Sequence, residues 1–336
     1  MKTSRAYTYA RALRINQWIK NFVIFVGLLF AGKLFNLTLF TQATYAFIIF
    51  CLLSSTSYVL NDIIDYQYDR KHPIKKHRPI ASGLISIPEA TFTVFVLTIV
   101  SLLLALSFSI PFFLLSIVFL LLHFLYSLYL KKYPVIDIFT ISFSFVLRTF
   151  AGVIATGYHV PVWLLLTIFF ISLFMASVKR HAESVTQAGN QTRESLFHYK
   201  DHLLYFMSTT FATLTIVSYA LYTYTLYIDP SQQAVFTDMN VQTVVCDQTQ
   251  LTAKQFKECS NQDFVRFLPD LFPSFEVRKL MMLTIPFVVY GIARYAQLLY
   301  ERDEGERPEK IITTDRPLIM TILLWGISII LLIYIF

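Results

Sequence analysis

An all-α, polytopic membrane protein with nine transmembrane helices is the fold class that this sequence predicts. Of its 336 residues, 56% are hydrophobic and only 15% are charged, a balance that no water-soluble domain of this length needs. Apolar runs recur along the chain, each about 20 residues long, the length at which a helix crosses a bilayer. We expect one integral-membrane domain over residues 1–336, with spans at 17–36, 38–60, 86–108, 111–130, 135–156, 161–178, 203–227, 276–298 and 317–335.

The Lys and Arg residues predict how these spans are oriented. They concentrate in alternate short loops, and the positive-inside rule then places the N-terminus in the cytoplasm and the C-terminus outside, in a bacterial inner membrane. The net charge of +7 is therefore no nucleic-acid footprint, because it is spread over short loops instead of one basic domain. Residues 228–275 form a polar extracytoplasmic insertion between spans seven and eight, where Cys246 and Cys259 can form a disulfide.

Polar residues lie just before the first span, 17–36, and within its first turns. On a helix, the four side chains of Arg14, Gln17, Lys20 and Asn21 occupy an arc of about 120°. A lysine and an asparagine facing lipid are expensive, so we expect this arc to face the helix bundle or an anionic headgroup. The alternative is that these side chains extend to the interface, with Trp18 as an aromatic anchor.

The second span, 38–60, leads into an acidic stretch with the sequence NDIIDYQYD. Asp62, Asp65 and Asp69 are spaced i, i+3, i+7, so on one helix the three carboxylates lie within roughly 60° of one face. Asn61 lies four residues before Asp65 and joins them. Hard oxygen ligands crowded in this way suit Mg²⁺ that also holds a phosphate. The alternative is a solvated acidic helix end.

A basic loop follows before the third span, 86–108. Its prolines and its glycine exclude a long helix over residues 70–83. The loop can serve positive-inside topology alone, but its place beside the three aspartates favours a phosphate cradle. Its candidate phosphate-binding residues are Arg70, Lys75, Lys76 and Arg78.

Lys131 and Lys132 lie in the short loop between span four, 111–130, and span five, 135–156. Span five contains two charged residues of its own. Asp137 and Arg148 are eleven residues apart, on one face and about 16 Å apart along the axis. Arg148 lies near the middle of the membrane, where an arginine predicts a functional site. Either an acid from another helix or a ligand anion neutralises it. Span six, 161–178, is followed by Lys179 and Arg180.

Several of these stretches resemble a known family. The NDxxDxxxD pattern resembles the first Asp-rich motif of the UbiA superfamily of intramembrane prenyltransferases. Further stretches resemble the branch typified by decaprenyl-phosphate phosphoribosyltransferase: RxxQWxKN at 14–21, DRxHPxKxxRPIASG at 69–83, YSLYLK at 126–131, Asp137 with RTFAG at 148–152, and KRHAE at 179–183.

This resemblance implies a UbiA-type bundle with a cytoplasm-facing cavity and a defined chemistry. Mg²⁺ on Asp62, Asp65 and Asp69, assisted by Asn61, would hold phosphoribosyl pyrophosphate, and a polyprenyl phosphate would accept the phosphoribosyl group. Substrate-binding residues implied by the motifs are Arg14, Gln17, Lys20, Asn21, Arg70, Lys75, Lys76, Arg78, Tyr126, Lys131, Arg148, Lys179 and Arg180.

Two other functions are compatible with parts of the sequence. An isoprenyl transfer to an aromatic acceptor would use a second acidic motif near the end of the sixth span, where this chain has KRHAE instead. A transporter would use the polar cavity without a metal, but the sequence has neither repeated halves nor paired broken helices.

Overall fold

A computed structural model describes residues 4–72, 74–185, 201–225, 277–301 and 314–334. This part of the chain contains helices and no strand. The helices are α1 Arg5–Ala12, α2 Val26–Phe30, α3 Leu37–Ile64, α4 Tyr66–Lys71, α5 Ile87–Phe108, α6 Ile110–Leu128, α7 Ile136–Thr156, α8 Val162–Val185, α9 Asp201–Thr225, α10 Ile285–Glu301 and α11 Arg316–Tyr334. Four 3-10 segments accompany them at Ile15–Phe25, Lys75–His77, Leu130–Lys132 and Val277–Thr284.

Eight helices in the described ranges are long and apolar enough to cross a membrane. They correspond to the second through ninth predicted spans, and the all-α membrane fold class is confirmed. The first predicted span, 17–36, differs. It is a 3-10 segment followed by the short helix α2, together Ile15–Phe30, so the count of nine crossings stays a prediction. The insertion 228–275 and its two cysteines lie outside the described residues.

Side-chain caps fix where several long helices begin. Asn36 caps α3 by accepting a hydrogen bond from the Leu39 backbone N–H at 3.2 Å. Ser86 and Glu89 form a reciprocal capping box at the start of α5, and Ser109 caps α6. Each cap satisfies backbone donors that have no partner within their own helix. The sharp α5–α6 connection follows from a cap placed directly after the preceding helix.

The core that positions the site lies between α3, α5, α6 and α7 and the 3-10 segment Ile15–Phe25. This segment packs closely on α7, because Gly152 has no side chain there. A Cβ on Gly152 would lie 2.1 Å from the Ile24 carbonyl oxygen, closer than any real contact. The close approach lets polar residues of the N-terminal segment reach the interior faces of α3 and α7. A second group of helices, α8 to α11, packs against this core through α7 and α8.

Candidate active site

The acidic stretch is not one straight helix. Helix α3 ends at Ile64, Asp65 caps it with a backbone outside the helical range (φ −87°, ψ 4°), and α4 begins at Tyr66. The backbone hydrogen bonds from Asp65 N–H to the Asn61 carbonyl and from Asp69 N–H to the Asp65 carbonyl continue across this break. Asp65 accepts a hydrogen bond from the Asn61 side-chain amide at 3.0 Å. The other two carboxylates, Asp62 and Asp69, face a common partner.

That common partner is Arg78. One of its terminal nitrogens, Nη1, donates to Asp62 Oδ1 at 3.0 Å and to Asp69 Oδ2 at 2.6 Å. Arg14, from the N-terminal segment before α3, donates to the same Asp62 Oδ1 at 2.5 Å. The carboxylates are the buried partners, with side chains 3% and 6% exposed, whereas the arginine side chains are 20% and 26% exposed.

Lys131 supplies the third cation. Its Nζ lies 2.5 Å from Asp65 Oδ1 and 3.5 Å from Asn61 Oδ1. It belongs to the 3-10 turn Leu130–Lys132, directly after α6. Cations from three separate parts of the chain thus converge on the acidic stretch. The resulting site has both hard oxygen donors for a metal and cationic donors for phosphate.

Burial and charge shift two titrations at this site. Burial raises the pKa of Asp69 above its usual value; the nearby carboxylate of Asp62 adds to the shift, and Arg78 opposes it. For Arg14, burial works to lower the pKa, but the charges of Asp62 and of Tyr58 outweigh it and leave the pKa raised. Arg14 also has a left-handed backbone (φ 52°, ψ 49°), a conformation rare outside glycine. Such strain occurs where surrounding contacts hold a residue in place, often at functional sites.

The donor set fits a divalent cation with one rearrangement. As they stand, the described residues hold no group of three acidic, His or Cys side chains close enough to ligate a metal. Asp62 and Asp69 nevertheless already share one cationic nitrogen of Arg78. A magnesium ion needs such oxygen donors and could be held by these two carboxylates once the guanidinium moves away.

A second polar cluster surrounds Arg148, which is 2% exposed. Its Nε donates to Asn21 Oδ1 at 2.7 Å, and its Nη1 donates to the backbone and side-chain oxygens of Ser144 at 2.9 and 2.8 Å. Its guanidinium lies 4.9 Å from the ring centre of Phe119 and 5.2 Å from that of Phe145. Within the ranges the structure covers, no carboxylate pairs with Arg148. Neutral oxygens and aromatic faces surround the charge instead.

This cluster is distant from the aspartates. Asn21 also accepts a hydrogen bond from Ser54 Oγ at 3.4 Å. Ser54 lies eight residues before Asp62 on α3, which corresponds to about 12 Å along the helix axis. The structure therefore does not bring Arg148 and Asn21 to the same place as the carboxylates, although the sequence groups them as substrate-binding residues.

Arg180 lies in a third cluster. Its Nε donates to Asp137 Oδ2 at 2.5 Å and its Nη2 donates to the Tyr126 hydroxyl at 3.2 Å. The side chains of the ion pair are 3% and 0% exposed. The sequence relates Asp137 to Arg148 on one helix face, but the structure pairs it with a cation from α8. This pair ties α6, α7 and α8 together and leaves the Arg180 guanidinium buried.

The remaining sequence candidates lie nearer the surface. Gln17 accepts a hydrogen bond from Lys20 Nζ at 3.3 Å, and both are half-buried. Arg70 is exposed and donates to the Tyr66 hydroxyl at 3.3 Å. Lys75 is half-buried, and its charge lowers the pKa of Asp69. Lys76, in the same 3-10 turn, is exposed, and Lys179 of α8 is half-buried.

Sequence reasoning missed Tyr58 and Ser144 among the residues that contact the candidate arginines. Tyr58 lies under the Arg14 guanidinium, 5.2 Å from it, and Ser144 accepts from Arg148. Each lies four residues before a residue that the sequence does single out, Asp62 or Arg148. Since residues four apart on a helix are neighbours, that spacing was the available signal.

Comparisons with known proteins agree with this fold. Residues 21–232 match the model of the UbiA prenyltransferase family. The chain is 37% identical over 224 residues to a decaprenyl-phosphate phosphoribosyltransferase of Corynebacterium glutamicum, a match covering 64% of this chain and 67% of the relative. A protein of the same name from Mycolicibacterium smegmatis is 33% identical over 220 residues, covering 64% and 69%.

Solved structures share the fold. A UbiA homologue from Archaeoglobus fulgidus bound to GPP and Mg²⁺ superimposes with a TM-score of 0.62 over 97% of this chain and 99% of that chain. Its sequence identity is 17%. A UbiA homologue from Aeropyrum pernix gives 0.55 over 98% of each chain at 11% identity.

Proposed function

Because this chain belongs to the UbiA prenyltransferase family and is a membrane-embedded transferase, we propose that it moves a 5-phosphoribosyl group from phosphoribosyl pyrophosphate to a polyprenyl phosphate. The observation that carries this choice of donor and acceptor is the similarity to relatives named decaprenyl-phosphate phosphoribosyltransferase, which extends over two thirds of their length. The site agrees, since its cations suit two phosphate-bearing substrates.

The end of α8 supports this choice over isoprenyl transfer. A second acidic motif would be expected there for an enzyme that binds isoprenyl diphosphate through a second metal. Here the position carries Lys179 and Arg180, and Arg180 is buried against Asp137. The stretch KRHAE at 179–183 thus has two cations and one acid, Glu183, where a second acidic motif would need several carboxylates.

The residues around the three aspartates have separate tasks in this proposal. Asp62 and Asp69, with Asp65 and Asn61 beside them, would hold Mg²⁺. When bound, the metal supplies charge stabilisation for the departing pyrophosphate oxygens. Lys131 and Arg78 donate to the same diphosphate, and Lys75 with Lys76 lies close enough along the chain to meet the donor's 5-phosphate.

The acceptor needs no dedicated base. A phosphate monoester has its second pKa near 6, so at neutral pH it is already mostly a dianion. One of its oxygens forms the bond to the anomeric carbon while the bond from that carbon to pyrophosphate breaks. Arg14, Gln17 and Lys20 bind the lipid phosphate at the membrane boundary. Arg148 and Asn21 lie beside Ser54, which is about 12 Å from Asp62 along the axis of α3, and their hydrogen bond holds the N-terminal segment against α7.

We place this site on the cytoplasmic side of the membrane. The basic loops that flank it, before α5 and after α6, carry the cation excess that the positive-inside rule assigns to the cytoplasm. Phosphoribosyl pyrophosphate is a soluble donor and would reach the site from there.

The test is a donor comparison on purified protein with Mg²⁺. Polyprenyl phosphate is incubated with labelled phosphoribosyl pyrophosphate, and in parallel 4-hydroxybenzoate is incubated with a labelled isoprenyl diphosphate. We expect label in the lipid and pyrophosphate release only in the first mixture, and only when polyprenyl phosphate is present. An Asp62→Asn protein serves as the inactive control. Prenylated 4-hydroxybenzoate in the second mixture, with no labelled lipid in the first, would reject the proposal.

A further inference from the structure

Arg78 occupies the place that a metal shared by Asp62 and Asp69 would take. Its Nη1 bridges the two carboxylates at 3.0 and 2.6 Å. A metal ligated by the same oxygens cannot coexist with this contact, because both are positive and both need the same lone pairs. A metal held between these same two oxygens, Asp62 Oδ1 and Asp69 Oδ2, therefore requires that Arg78 leave, while Arg14 remains a second cation on Asp62.

Arg78 is the partner best able to move. Its side chain is 26% exposed, whereas those of Asp62 and Asp69 are 3% and 6% exposed. Its backbone is anchored, since the next two residues, Pro79 and Ile80, are buried. Rotation of the arginine side chain can thus clear the carboxylates without displacing the loop. The guanidinium would then remain within a side chain's length of the ion that replaced it.

A diphosphate on that ion gives the released guanidinium a new partner. Arginine binds phosphate oxygens through paired, charge-assisted N–H donors at least as well as it binds carboxylates. Without a diphosphate, the metal alone must offset the loss of the two ion pairs that Arg78 makes with Asp62 and Asp69.

We propose that Arg78 is an exchangeable counter-ion, which neutralises Asp62 and Asp69 until a divalent cation and a diphosphate bind together, and which then transfers to the diphosphate. This inference rests on the proposed function only in that the donor carries a diphosphate. It makes the metal and the diphosphate bind with positive cooperativity, and by linkage each tightens the other by the same factor. It also prevents the site from holding a metal tightly between turnovers.

The test measures metal affinity and not turnover. Free Mn²⁺, followed by its electron paramagnetic resonance signal, is titrated into the purified full-length protein without diphosphate. We expect Arg78→Gln to bind Mn²⁺ at least about tenfold more tightly than the unchanged protein, because a competing charge is removed. Lys71→Gln is the matched control, since it removes the same charge from an exposed position of the same stretch, and a change within about twofold is expected there.

A second measurement needs no variant. Inorganic pyrophosphate is added to the unchanged protein, with the Mn²⁺–pyrophosphate complex in buffer subtracted, and we expect Mn²⁺ affinity to rise by about tenfold or more. In Arg78→Gln most of this rise should be lost. Equal or weaker Mn²⁺ binding by a folded Arg78→Gln protein would overturn the inference, as would pyrophosphate having no effect on the unchanged protein.

These results separate the inference from the proposed function. If Mn²⁺ binding behaves as expected but phosphoribosyl pyrophosphate is not consumed, the counter-ion role stands for another diphosphate donor and the proposed function fails. If phosphoribosyl transfer occurs but Arg78→Gln does not tighten Mn²⁺ binding, the proposed function stands and the counter-ion role is rejected.

Discussion

Replacing Arg180 with methionine would remove the cation that donates to the buried Asp137 carboxylate. Both side chains of this pair are almost fully buried, at 3% and 0% exposure, and the donor–acceptor distance is 2.5 Å. Breaking such a pair from one side costs about 3–5 kcal/mol, because the remaining charge keeps its desolvation penalty and loses its partner. We therefore expect Arg180→Met to lower the stability of the bundle strongly.

Removing both charges should be far milder. An Asp137→Leu, Arg180→Met protein removes both charges of this pair together, and apolar replacement of a buried pair is often close to neutral. We expect the double variant to recover most of the loss. The double-mutant cycle then gives the coupling between the two residues directly.

The assay is thermal unfolding in detergent, followed by circular dichroism. Lys132→Met, at an exposed position near α7, is the control for loss of one cation. If Arg180→Met has the same melting temperature as the Lys132→Met control and raises only the KM for the donor, Arg180 binds substrate and the structural role assigned to it is wrong.

Three further predictions concern the site and its supports. Asp65→Asn should lower turnover by several orders of magnitude while the protein stays folded, measured by label transfer and circular dichroism; near-normal turnover in saturating Mg²⁺ would contradict its role as a metal ligand. Gly152→Ala should destabilise the protein by about 1–3 kcal/mol because its Cβ would meet the Ile24 carbonyl, whereas Gly326→Ala, with open space around it, should be neutral or stabilising in the same melting experiment. Arg148→Met should cost less stability than loss of the paired arginine discussed above, because only neutral oxygens lose a donor; an equal loss would reveal an acidic partner.

The positions of the long helices follow from local sequence. In a bilayer each spanning segment must satisfy its own backbone hydrogen bonds, so an apolar run of sufficient length becomes a helix wherever it occurs. Eight predicted spans agree with helices for this reason. The first, 17–36, differs because polar residues such as Asn21 contact neighbouring helices, and the segment is 3-10 where a regular α-helix was expected.

The candidate site could be located from sequence, but its internal arrangement could not. The aspartates and the basic loop stand out as charges beside apolar runs, and the structure does place Arg14, Arg78 and Lys131 on the aspartates. Helical spacing predicted a shared face for the three aspartates, but not that Asp62 and Asp69 would share Arg78 while Asp65 pairs with Lys131. Residue spacing predicts the direction of side chains along a continuous helix, but it does not predict which residues from other parts of the chain will contact them.

By itself, the sequence determined the membrane class, the places of the long helices, and the set of charged residues from which a phosphate and metal site can be built, since these depend on composition and local periodicity. Only the tertiary structure decided the partners. Arg180 and Asp137 are 43 residues apart, and Lys131 and Asp65 are 66 apart, so no local pattern relates them. Which cation neutralises which carboxylate depends on how α3, α6, α7 and α8 pack, because a buried charge is stabilised by whatever the packing brings within hydrogen-bonding distance.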